Sequence, residues 1–144
     1  MKTMIKGALV ALGMTAGAAA AEDMEKLVTV VTSDDAQVQL MSMVLTNQAI
    51  AQGHATRILL CGPGGDIALK DAPESATAGQ PPKGASPQGL LQAAMKNGAT
   101  VEVCAIYLPG KGTDATALIE GVGVAAPPAM AGAMAAPDTI VWPF

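Results

Sequence analysis

Five short runs rich in β-branched and apolar residues divide the chain: KLVTVVT (26–32), HATRILLC (54–61), ATVEVCAIYL (99–108), GVGVA (121–125) and DTIVWPF (138–144). Continuously apolar runs of this length fit strands covered on both faces. Each of the first four is followed by a segment with helical features, and that alternation requires a parallel sheet closed by right-handed crossovers. The expected fold class is therefore α/β: a three-layer α/β/α domain with a five-stranded, mainly parallel sheet.

The intervening segments carry start and stop signals. Thr32 or Ser33 is placed to cap a first helix, with Asp34 and Asp35 in its first turn, where the macrodipole favours negative charge. Val38, Met41, Leu45 and Ala49 recur along it at helical spacing, and Gly53 stands where it should end. Ser86 and Pro87 form an N-cap and first-position pair for a helix over QGLLQAAMKN. Thr113 is placed to cap DATALIE, and PPAMAGAMAAP reads as a helix opened by proline. The Pro-, Gly- and Ser-rich stretch between the second run and Ser86 predicts a long flexible loop at 71–88. With one each of Trp, Tyr and Phe, the core must be built from Ala, Val, Leu, Ile and Met.

Residues 1–21 stand apart from this pattern. Lys2 and Lys6 precede a short apolar stretch rich in Gly and Ala, and Ala19 and Ala21 have the spacing of a cleavage site. These are the marks of a secretory signal peptide, leaving 22–144 as a single domain that is periplasmic or secreted. Its loss takes the basic count from 8 to 6 against 12 acidic residues, a formal charge of −6. An acidic domain without a basic cluster repels phosphate backbones, which argues against nucleic acid as a partner. No later segment is long and apolar enough for a stable membrane anchor after signal cleavage.

Chemistry in an open parallel sheet gathers at the carboxyl ends of the strands. Both cysteines lie there: Cys61 closes the second run and Cys104 sits late in the third. A helix starting near Thr113 and the ammonium of Lys111 would lower the Cys104 thiol pKa and favour the nucleophilic thiolate. A buried cysteine acting as a small hydrophobe is the plain alternative. His54, the single histidine, falls at the opposite edge, where a turn histidine fixing a backbone group is expected rather than a metal ligand. CGPGGD lacks the Gly-Lys-Ser/Thr ending of a phosphate loop, so no cofactor is implied. Asp34, Asp35 and Asp66 read as helix-start residues more than acid/base machinery. Met41 with Met43, and Met130 with Met134, raise soft-metal binding such as Cu(I), against the simpler role of core filling.

GHATRILLCGPGGDIAL, NGATVEVCAIYLPGKG, LIEGVGVA and the closing DTIVWPF, taken in order, resemble the DsrE/DsrF-like family of small sulfur-handling proteins from about Leu27 to Phe144. The resemblance implies that the cysteine late in the third strand, here Cys104, carries a persulfide. It implies that Lys111-Gly112 matches the family's basic-residue-plus-glycine turn, with lysine where arginine is frequent. It also implies homo-oligomers and a protein that donates or accepts sulfur. The chain departs from the family's cytoplasmic relays in its leader and in Cys61. If the second and third strands are neighbours, their spacing of ~4.8 Å is compatible with a Cys61–Cys104 disulfide. Such a bridge would be structural, or a redox pair in which Cys61 resolves a species formed on Cys104, and side-chain direction decides whether it forms. Two classes of function follow: a sulfur carrier or thiol-redox protein acting through Cys104, or a non-catalytic exported binding or assembly module.

Overall fold

A computed structural model of the protein describes residues 25–144, so the leader read at 1–21 lies outside the described residues. The elements run β1 (Lys26–Val31), α1 (Ala36–Ala51), β2 (Thr56–Leu60), α2 (Glu74–Thr77), α3 (Pro87–Lys96), β3 (Thr100–Val103), α4 (Tyr107–Lys111), β4 (Gly123–Val124), α5 (Pro127–Met134) and β5 (Thr139–Pro143). The strands form one sheet in the order β4-β3-β2-β1-β5, and every pairing is parallel. This is the α/β sheet that the alternating runs require.

The two faces of the sheet are covered unequally. Val31, Ile58, Leu60, Val101 and Val103 point to one side, where they pack with Met43 of α1 and Leu91 and Ala94 of α3. On the other side Val28, Leu59 and Ala125 meet Met130 of α5 in a smaller cluster. Strand side chains alternate between faces, so Cys61 and Cys104, one residue beyond Leu60 and Val103, belong to the α5 side.

Helix α1 reverses the amphipathic reading of its sequence. Val38, Met41 and Leu45 share one face, but it is the exposed one, and Met41 is 53% exposed. The face against the sheet carries Gln39, Ser42, Met43, Thr46 and Ala49. Its buried hydroxyls bond back to the helix's own carbonyls. Ser42 Oγ donates to the Gln39 carbonyl and Thr46 Oγ1 to the Ser42 carbonyl, both at 2.7 Å. The true N-cap is Asp35, whose carboxylate accepts from the Gln37 and Val38 amides at 2.9 Å, so Asp34 and Asp35 precede the first turn.

Two other expectations are corrected. The third strand ends at Val103, and AIYL, read as its continuation, turns into α4. Pro109 at the third helical position is tolerated because first-turn amides have no intrahelical partner. Nor does a helix begin at Thr113: Asp114 caps a single 3₁₀ turn at Ala115–Ala117. The segment at 71–88 contains α2 and is tied to α1 by Gln80 Nε2 donating to the Ala36 carbonyl at 2.9 Å. Ser86 and Pro87 do open α3, with the Ser86 hydroxyl accepting from the Gly89 amide at 3.2 Å.

Candidate functional site

The register of β2 against β3 builds the site. Leu60 pairs with Val103, so the next residues of both strands are adjacent and face the same way. Those residues are Cys61 and Cys104. Their Cα atoms are 5.1 Å apart and their sulfurs form a disulfide. The Cys61 amide donates to Val31 O at 2.9 Å and the Cys104 amide to Leu60 O at 2.8 Å, so both cysteines continue the ladder where the strands end. Both are half-buried, at the carboxyl edge of the sheet. Upstream on the same face Arg57 and Glu102 join β2 to β3 through a 2.6 Å ion pair.

The site lies away from the topological switch point, which falls between β1 and β5. There Thr32 donates its amide and its hydroxyl to the Phe144 carbonyl at 2.7 and 2.9 Å.

Behind each cysteine the chain turns into a short helical segment, Gly62–Ala68 after Cys61 and Tyr107–Lys111 after Cys104. Between them opens a cavity of about 360 Å³, lined by Gly62, Pro63, Asp66, Ile106, Tyr107, Gly110 and Lys111. Ile106, two residues from Cys104, is 82% exposed. The glycines of CGPGGD serve close packing: a Cβ at Gly64 would run into the Val31 carbonyl and one at Gly65 into the Tyr107 ring.

Asp66 is the residue around which the two segments meet. Its Oδ1 accepts from the Tyr107 hydroxyl at 2.7 Å and lies 2.8 Å from the Lys111 ammonium. That ammonium also stands 6.0 Å from the centroid of the Tyr107 ring. Burial first, then the hydrogen bond and negative charge of Asp66, hold the Tyr107 phenol well above its usual range. Lys111, expected beside a thiolate, is thus paired with Asp66, and the helix start expected at Thr113 is replaced by α4. Sequence reasoning placed Cys61, Cys104 and Lys111 at one edge but gave Asp66 only a helix-start role and Tyr107 none. The missing signal was the pairing of two loops that only the register brings together.

The remaining candidates fall elsewhere. His54 Nδ1 lies 2.8 Å from the Glu25 carbonyl, so it fixes a backbone group at the start of β1. Met41 and Met43 do not form a soft-metal pair: two residues apart on a helix they face different ways, and Met43 is fully buried while Met41 is exposed. Met130 and Met134 pack toward the sheet. Among the described residues no group of three His, Cys, Asp or Glu side chains could hold a metal ion.

No family model matches the chain, and no curated protein matches it. Solved structures do. The YchN protein from E. coli superposes with a TM-score of 0.62 at 20% identity, over 84% of this chain and 100% of that one. The protein of unknown function MTH1491 from Methanobacterium thermoautotrophicum gives 0.60 at 18% identity, over 81% and 98%. At these identities the likeness is one of architecture, and the chain has the DsrE/DsrF-like fold.

Proposed function

We propose that the protein is an exported thiol–disulfide protein that carries sulfur on Cys104, with Cys61 as its resolving partner. The observation that carries this reading is the Cys61–Cys104 disulfide, half-buried beside an open cavity at the sheet's carboxyl edge. The DsrE/DsrF-like fold and the leader-like residues 1–21 support it, and a disulfide fits an oxidising compartment such as the periplasm or the exterior.

An external dithiol reduces the bridge, passing two electrons and two protons to the cysteines and itself closing to a disulfide. The Cys104 thiolate then attacks the sulfane sulfur of a donor persulfide, which leaves as its thiolate, and Cys104 holds the persulfide. Transfer to an acceptor thiolate frees Cys104. Without an acceptor, the Cys61 thiolate attacks the inner sulfur of Cys104, the bridge re-forms and hydrosulfide leaves. The donor and acceptor are proteins or small thiols able to reach the rim. Self-association belongs to the same reading, supported by the exposed Val38, Met41 and Leu45 on the outer face of α1.

The test is intact-protein mass spectrometry of the reduced chain after exposure to a polysulfide donor. One added sulfur is expected on Cys104, transient in the parent and persistent in Cys61→Ser. No adduct on Cys104 in either protein sinks the carrier. A bridge that resists mild reductant in the folded protein makes it a structural staple and favours the non-catalytic binding module.

A further inference from the structure

The two cysteine-bearing segments are joined twice. The disulfide links them where they leave the sheet, and Asp66 links them again further along. Asp66 lies on the segment behind Cys61, while Tyr107 and Lys111 lie on the segment behind Cys104. Among the described residues no other side-chain hydrogen bond or ion pair connects Gly62–Ala68 with Tyr107–Lys111. Both donors converge on one carboxylate oxygen, and Tyr107 is only 5% exposed, so the contact is partly shielded from water.

We infer that Asp66 is a positioning residue for the Cys61–Cys104 couple, holding the two segments together so that the sulfurs stay adjacent after reduction. This rests on the redox reading of the bridge. Reduction by a dithiol proceeds through a mixed disulfide, which the freed protein thiolate can reverse by attacking it. How often it does so depends on its effective concentration at that sulfur. With the segments held, that concentration is high and the bridge resists opening. With the contact cut, the dithiol gains freedom and the reduced form is favoured. Lys111 and Tyr107 act through Asp66 rather than on sulfur.

The experiment equilibrates the full chain in glutathione buffers of graded ratio and reads the fraction oxidised by thiol trapping. Asp66→Ala is expected to shift the midpoint toward the reduced form by roughly tenfold, the scale on which a charged hydrogen bond contributes. Tyr107→Phe keeps the ring and Lys111→Gln keeps the fold's exposed surface, and each is expected to shift it by a smaller factor in the same direction. Lys111→Arg, which preserves the ion pair, should titrate with the parent. A merely structural role would lower denaturant midpoints without moving the glutathione midpoint of the folded protein. If the parent bridge exchanges and Asp66→Ala, Tyr107→Phe and Lys111→Gln all titrate with it, the positioning role is wrong and the redox reading stands. If the parent bridge exchanges with neither glutathione nor a dithiol, both fall.

Discussion

Thr29 of β1 and Thr46 of α1 sit with their hydroxyls 2.9 Å apart in a layer closed to water. The proton of Thr46 is already committed to the Ser42 carbonyl, so Thr29 must be the donor between them. The pair is therefore asymmetric. Thr46→Val removes the acceptor and leaves a buried hydroxyl donor without a partner, which costs about 1–3 kcal/mol. Thr29→Val leaves Thr46 still bonded to its carbonyl and should cost less. Replacing both with valine should recover most of the loss, because no orphaned group remains. Urea midpoints of the two single variants and the double variant check this order. A Thr29→Val cost equal to or above that of Thr46→Val would overturn the donor assignment.

At the scale of elements, the start of β1 is fastened to the start of β5 by one exposed ion pair. Lys26 Nζ donates to Asp138 Oδ2 at 2.7 Å, and the Lys26 amide donates to the Asp138 carbonyl at the same distance. The hydrogen bond from Lys26 is the main cause that holds the Asp138 carboxyl below its ordinary value. A carboxyl depressed in the folded state contributes its stability above the unfolded pKa, near ~4, and loses it as pH falls through the lower folded value. Asp138→Asn should therefore lower stability slightly at neutral pH, by no more than an exposed pair contributes, and converge with the parent as pH falls below about 4, which flattens that part of the acid limb. Unfolding midpoints from pH 2 to 7 for parent and variant, indistinguishable at every pH, would remove this pair from the acid transition. The succession of strands along the chain was legible because each apolar run is short, β-branched and bounded by turn residues. Ser86, Pro87 and Gly53 marked helix boundaries correctly for the same local reasons. AIYL was not legible, since Ile106 and Tyr107 suit a strand by propensity and only burial of Tyr107 and Leu108 from α4 decides against it. The outward apolar face of α1 was not legible either, because periodicity reports that a stripe exists and not which side of the helix the sheet occupies.

For the whole molecule, the thin layer is where the covalent bond lies. α1, α2 and α3 stack over one side of the sheet, whereas the cluster around Val28 and Leu59 is roofed by α5, an eight-residue helix with Met130 as its buried residue. The disulfide borders that cluster and closes a sequence separation of 43 residues. Its adjacency could be read from the sequence only as far as strand neighbours, because a one-residue slip in register would send the two sulfurs to opposite faces. By chain entropy a loop of this size restrains the unfolded state by about 4 kcal/mol. Reduction, or joint replacement of Cys61 and Cys104 by serine, should lower the unfolding free energy by up to that amount. Sulfur transfer sets a second condition, because a carrier must remain folded as the dithiol. Typical domains hold about 5–15 kcal/mol, so the reduced chain should keep its far-UV circular dichroism and still unfold in one cooperative transition, displaced to lower denaturant. Reduction that instead abolishes the transition would make the bridge a precondition of the fold, and a chain that unfolds whenever its thiols are free cannot present Cys104 to a donor.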